Sequence, residues 1–119
     1  MTETVDGLLW QKEKEKLQQE HPKKAINPDT LLAPVPVAMI SVHGKTPDGE
    51  GSTDNIFTVS WTGTINSDPP MLSISVRAER YSWPLIEESG EFVVNFVSRD
   101  LIVAADYCGV VSGRDRNKA

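Results

Sequence analysis

Between positions 35 and 77 the chain is written almost wholly as extended segments joined by short turns, and this restricts its architecture more than any other feature. Residues 35–42 (VPVAMISV) form a dense apolar run with β-branched side chains, the mark of a buried strand whose start is restricted by Pro34 and Pro36. Residues 45–53 (KTPDGEGST) make a Gly/Pro/Asp loop suited to a hairpin tip. Residues 55–66 (NIFTVSWTGTIN) alternate, with Ile56, Thr58 and Ser60 on one side and Phe57, Val59 and Trp61 on the other, and are read as one strand. Asp68-Pro69-Pro70 is a rigid turn, and residues 71–77 (MLSISVR) alternate again. Parallel neighbours need a crossover of about a dozen residues or more, so these strands are expected to pair antiparallel in a barrel or sandwich.

The second half adds short helices. Ser82 is expected to cap a helix that tolerates Pro84 in its first turn and stops at Gly90. Residues 92–97 (FVVNFV) read as a fourth strand, and Ser98 as the cap of a helix through residues 101–108 that Gly109 ends. Four strands are too few to close a barrel. The polar segment 112–119 offers no closing element, so strand edges are expected to stay open unless another chain or further strands cover them.

Charge divides the chain. Residues 1–29 carry five Lys and six acids, whereas seven of the eight aromatic residues lie between Phe57 and Tyr107. The division predicts a charged N-terminal helix and linker over 1–29 and a folded domain over 30–119, with the core beginning near Leu31. Residues 8–20 (LLWQKEKEKLQQE) favour helix, with Glu13 and Lys16 at i,i+3 spacing and no apolar stripe, and Pro22 stops it.

A net charge of −5 provides no basic field for nucleic acid. The longest nearly apolar run, 31–42, is shorter than the ~20 residues that span a bilayer. No secretory signal is expected of an N-terminus holding Glu3 and Asp6 without an apolar core, which points to the cytoplasm. A single cysteine, Cys108, makes no internal disulfide or cysteine-rich zinc site and reads as a small buried hydrophobe. His21 and His43 have no ligand partner at i+2 or i+4, so no metal is expected. Gly44-Lys45-Thr46 has the end of a phosphate-binding loop, but Met39 stands where its first glycine belongs. No Gly-x-Gly-x-x-Gly motif and no serine in a nucleophile elbow is present, and no catalytic residue is assigned.

One constellation has a chemical reading. Asn55, Thr58, Ser60, Thr62 and Thr64 place amide and hydroxyl groups along one strand, and Ser75, Arg77, Arg80, Tyr81 and Ser82 follow near a strand end and a helix start. A flavin needs both: fixed donors and acceptors for its pyrimidine ring, and cations, hydroxyls and helix N–H groups for its 5′-phosphate. On the residues alone, solvent-facing strand hydroxyls and surface arginines are the favoured account.

Their order adds to this. Residues 30–40 (TLLAPVPVAMI), 54–61 (DNIFTVSW), 68–71 (DPPM), 76–82 (VRAERYS), 89–95 (SGEFVVN) and 104–109 (AADYCG) resemble, block by block, the flavin reductase-like FMN-binding split-barrel family of the flavoredoxin type. The resemblance extends over about residues 24–115. It implies a mainly β fold with short helices, an antiparallel split β-barrel of Greek-key type, forming a homodimer with FMN near the subunit interface. Position by position, Asn55, Thr58, Val59, Ser60 and Trp61 match the strand facing the isoalloxazine ring. Ser75, Val76, Arg77, Arg80, Tyr81 and Ser82 match the stretch holding the ribityl phosphate. The implied activity passes a hydride from NAD(P)H to flavin N5, with chemistry supplied by the cofactor rather than by a side-chain acid or base. Members of the family usually continue beyond the Ser112-Gly113-Arg114-Asp115 segment, so residues 30–119 are expected to form the N-terminal part of an incomplete barrel. A flavin-binding module, or a truncated fragment with little turnover, is the alternative.

Overall fold

The computed structural model describes residues 5–30 and 32–119. Leu31, where the core was expected to begin, lies outside the described residues. The chain groups into one unit up to residue 31 and a second from Leu32 onward.

The first unit contains α1 (Val5–Glu20), whose Leu8, Leu9, Trp10 and Leu17 are exposed. Its close ion pair is Lys16 with Glu20 at 3.9 Å, an i,i+4 contact worth a few tenths of a kcal/mol. The His21 N–H donates to the Leu17 carbonyl at 2.9 Å, and Pro22 follows directly.

In the second unit, β1 (Ala38–Lys45) and β2 (Ser52–Val59) form an antiparallel hairpin. Next come the hairpin β3 (Thr62–Ser67) and β4 (Pro70–Ile74), then α2 (Ser82–Ser89), β5 (Val93–Phe96), a 3-10 turn at Arg99–Leu101, and α3 (Ile102–Val110). β5 returns to the far side of β1, giving one sheet in the order β2-β1-β5 and a second made of β3 and β4. All pairings are antiparallel, as expected, and neither sheet closes on itself.

The single strand expected over 55–66 is two. Ala38 begins β1 and pairs with Val59, so β2 has no ladder partner beyond that point. Pro36, lacking an N–H, prevents β1 from extending backward as a regular ladder strand. The chain therefore bends at Ser60-Trp61 and pairs instead with β4, where the Ser75 N–H donates to the Trp61 carbonyl at 2.9 Å.

Alternation buries Ala38, Ile40, Val42 and Gly44 along one face of β1. Ala38, Ile40 and Val59 form the core, with Phe57, Ile74, Phe92 and Val94 packed against it. Helix α2 lies on this face, with Leu85 fully buried. Its approach requires Gly44: a Cβ there would stand 2.8 Å from the Leu85 carbonyl oxygen. Gly90 ends α2 as expected, in a left-handed conformation (φ 71°), with its N–H donated to the Ile86 carbonyl at 2.9 Å.

Three expected helix boundaries need correction. Ser82 is not a cap: Tyr81 occupies that position without a side-chain capping bond, and Ser82 is the first helical residue, buried with its hydroxyl engaged by β2. Gly109 does not end α3, which continues to Val110. A Cβ on Gly109 would lie 3.4 Å from Thr58 Cβ, at the edge of ordinary van der Waals contact. Ser98 precedes the 3-10 turn in an extended conformation but makes no capping bond.

Candidate functional site

β2 is an edge strand, and α2 and α3 approach its opposite sides. Two side-chain hydrogen bonds anchor it. Asn55, 2% exposed, donates from Nδ2 to Ser82 Oγ at 2.7 Å, joining β2 to the first residue of α2. Thr58, pointing the other way, donates from Oγ1 to the Ala105 carbonyl of α3. Along this anchored edge runs a cleft of about 440 Å³, within the range of small-molecule and cofactor sites.

The eleven residues assigned from the sequence all line this cleft. Asn55, Thr58 and Val59 lie on β2, while Ser60 and Trp61 form the bend that follows it. Ser75, Val76, Arg77, Arg80 and Tyr81 come from the connection between β4 and α2, and Ser82 opens α2. Residues from both faces of β2 contribute, so the strand's free edge, with its backbone N–H and C=O groups, is turned to the cleft.

A third wall escaped the sequence reading. Cys108, Gly109 and Val110 at the end of α3, then Val111, Ser112, Gly113 and Lys118, also line the space, as does Phe57. Gly113 fits closely: a Cβ there would come within 2.6 Å of Asn55 Oδ1 and 2.5 Å of Tyr81 Cδ1. The signal available beforehand was the pair of glycines flanking 110–112, but only the fold places them opposite β2. Cys108 is buried as expected, though at the cleft wall.

The cleft's charge has one sign. Arg77, Arg80 and Lys118 are among its lining residues, and none of those residues is acidic. Arg77 stands 3.8 Å from Glu79, whereas Arg80 makes no ion pair among the described residues. Lys118 donates from Nζ to the carbonyls of Val111 at 2.8 Å and Cys108 at 3.2 Å, neutralising the carboxyl end of α3. Burial pushes its pKa below the ordinary lysine value. Arg80, beside the start of α2, is the cation best placed for an anionic ligand.

The family profile of the Flavin reductase like domain matches residues 31–119. The chain belongs to that flavin reductase-like family, and its two open antiparallel sheets with short helices are part of a split β-barrel fold. Among solved structures it is similar to flavoredoxin of Desulfovibrio vulgaris (Miyazaki F), at 31% identity and a TM-score of 0.69, covering 81% of this chain and 50% of that one. A flavoredoxin from Methanosarcina acetivorans gives 31% identity and a TM-score of 0.67, with the same coverage of 81% and 50%. An FMN-binding domain of a flavin reductases-like enzyme from Shewanella baltica OS155, at 24% identity and a TM-score of 0.61, covers 70% of this chain and 41% of that chain and shares the fold. The chain thus spans half or less of the length of these relatives.

Proposed function

We propose that the cleft along β2 holds FMN and that the protein is an oxidoreductase of the flavin reductase type. The observation carrying this reading is a nucleotide-sized cleft with arginines on one wall, an anchored strand edge on the other and no carboxylate among its lining residues. The donor set suits the cofactor. Arg80, Arg77 and Ser75 with the opening of α2 suit the phosphate, and Tyr81 and Ser82 complete that wall. The β2 edge with Asn55 and Thr58 suits the polar rim of the flavin ring, while Val59, Ser60, Trp61 and Val76 supply the surface beside it.

Held by these residues, FMN would supply the redox chemistry, with NAD(P)H as the hydride donor and a further acceptor for the electrons. The chain's part is to bind, orient and shield. Because Asn55 and Thr58 are fixed by Ser82 and Ala105, the β2 edge presents its backbone groups without reorganisation when a ligand arrives. The reading includes a homodimer, supported by the exposed Val93 and Phe96 on the outer strand β5 (59% and 88%). It includes a cytoplasmic location; no described helix is long and apolar enough to cross a membrane.

Titration with FMN followed by desalting tests the reading. A retained flavin band at close to one equivalent, with NADH or NADPH oxidised only in the presence of FMN, is the expected result. Retained FMN without oxidation of either nucleotide identifies a binding module instead. Arg80→Ala should weaken FMN roughly ten-fold or more through loss of a charged hydrogen bond to phosphate, measured by flavin fluorescence quenching. Equal affinity in the variant removes Arg80 from the site.

A further inference from the structure

The chain contains two Asp-Gly pairs, Asp6-Gly7 and Asp48-Gly49. The first falls within α1, and the second stands exposed at the β1–β2 tip, between the last paired residues of the hairpin, Lys45 and Ser52. An Asp-Gly pair carries a latent reaction. Because glycine has no side chain, its amide nitrogen can reach the preceding aspartate Cγ without steric hindrance. The nitrogen gives up its proton and bonds to Cγ, a carboxyl oxygen leaves as water, and a cyclic succinimide closes. Water then opens the ring at either carbonyl. Opening at Cγ restores aspartate, whereas opening at the former main-chain carbonyl leaves the chain running through the side-chain carbon, as isoaspartate. Water is lost and regained, so the mass is unchanged and no oxidant or reductant takes part.

Both reacting groups are engaged at this tip, and Thr46 engages both. Its carbonyl accepts the Gly49 N–H at 2.8 Å, which holds the proton that the nucleophile must lose. Its hydroxyl donates to Asp48 Oδ1 at 2.5 Å, and the Glu50 N–H donates to the same oxygen at 3.0 Å. The carboxylate is thus bound past the nitrogen that would attack it, and rotation onto that nitrogen breaks both bonds. The Thr46 hydroxyl and then the Glu50 amide hold the Asp48 carboxyl below its ordinary pKa, which keeps it ionised and a poor electrophile. Thr46 is itself fixed, its N–H donating to the Gly51 carbonyl at 2.8 Å and its Oγ1 accepting the Gly51 N–H at 3.1 Å. Gly49 has a φ of 76°, in the left-handed region that favours glycine, so the turn retains the very residue that permits the reaction.

We propose that Asp48-Gly49 is a modification site of the succinimide–isoaspartate type, and that Thr46 holds it closed in the folded protein. Loosening the tip starts the reaction. The product adds a carbon to the main chain between Lys45 and Ser52 and re-aims a carboxylate that shares a recess with Arg80 and Arg114. Its free α-carboxyl is the group that an isoaspartate-specific carboxyl methyltransferase takes as substrate.

The test ages the 119-residue chain for several weeks at neutral pH and body temperature, beside Thr46→Val, Thr46→Ser and the parent in denaturing urea. Isoaspartate is read by enzymatic carboxyl methylation and located by peptide mapping, with Asp6-Gly7 as the reference in each digest. Thr46→Val keeps the β-branched shape and lacks the hydroxyl, so Asp48 should convert roughly ten-fold faster than in the parent, as expected for loss of a charge-assisted hydrogen bond. Thr46→Ser retains the donor and should stay within about two-fold of the parent. The parent in urea, free of every tip bond, should convert at least as fast as Thr46→Val. Equal rates at Asp48 in the parent and Thr46→Val would remove Thr46 from this role. Equal rates in the folded and unfolded parent, a comparison that needs no variant, would mean that the tip protects nothing. Absence of isoaspartate at Asp48 even in urea would overturn the site itself.

Discussion

The β2-β1-β5 sheet and the β3–β4 hairpin are built from similar residues but held by different forces. Ile40 and Leu85 are fully buried where α2 seats on β1, and Gly44 is stripped of a side chain so that the backbones can approach. The hairpin carries no fully buried residue: Ile65, Met71 and Leu72 are about half exposed or more, and Ile74 alone packs against the core as a partly buried residue. The sheet is fixed by packing, and the hairpin by its hydrogen-bond ladder. The flavin cleft lies between these regimes, with one wall on the packed strand β2 and another formed by the exposed Arg77 and Arg80 after β4. A fixed wall suits a planar ring, and exposed cationic side chains suit a phosphate.

A pair of glycines breaks the comparison most sharply. Gly44→Val should prevent stable folding, since its side chain would enter the Leu85 backbone, whereas Gly63→Ala meets nothing within 4 Å and should change the thermal midpoint little. Circular dichroism melts of both variants decide it; equal melts would mean that α2 does not depend on close approach to β1. Next in size is Leu85→Ala, expected to cost ~2–5 kcal/mol by denaturant titration, against less than ~0.5 kcal/mol for Leu72→Ala on the hairpin.

What could be read beforehand follows the same division. Period-two alternation marked the strands because each buries one face, and Gly90 marked the end of α2 because a left-handed turn favours glycine. The break at Ser60-Trp61 carried no mark in residues 55–66, because its cause is the starting point of a different strand. Ser82 was misassigned for a related reason: a serine before a helical stretch reads as a cap, and only the fold brings Asn55 to its hydroxyl. The eleven cleft residues were assigned through a resemblance in block order, whereas composition alone favoured ordinary surface hydroxyls and arginines. The α3 wall was missed because the proximity of Gly109 and Gly113 to Thr58 and Asn55 is entirely tertiary.

Asn55→Ala joins the two halves of the comparison. It leaves the buried Ser82 hydroxyl without its donor, at a cost of ~1–3 kcal/mol, and loosens the strand edge lining the cleft. Stability should fall less than in Leu85→Ala, while the absorbance of added flavin should shift relative to the parent. An unchanged spectrum and affinity would detach Asn55 from the ring and leave it a purely structural residue.

The smallest effect concerns the exposed rim of the packed sheet. Glu88 of α2 accepts from the Lys45 N–H at 3.1 Å and stands 3.3 Å from Lys45 Nζ, so the end of β1 holds its carboxyl below the ordinary value of 4.5. A carboxyl with a lowered folded pKa binds fewer protons in the native state than in the unfolded one near that value. Its contribution is therefore present above pH 4.5 and is lost as the pH falls through the folded pKa. The thermal midpoint of the parent should drop more steeply below that pH than the midpoint of Glu88→Gln, with the two separated by a small offset at neutral pH. Because the pair is solvent-exposed, the charge-dependent part of the difference should shrink in high salt. Parallel curves for the two proteins would mean that the Lys45–Glu88 contact adds nothing to the seating of α2 on β1, leaving Gly44 and Leu85 to account for it.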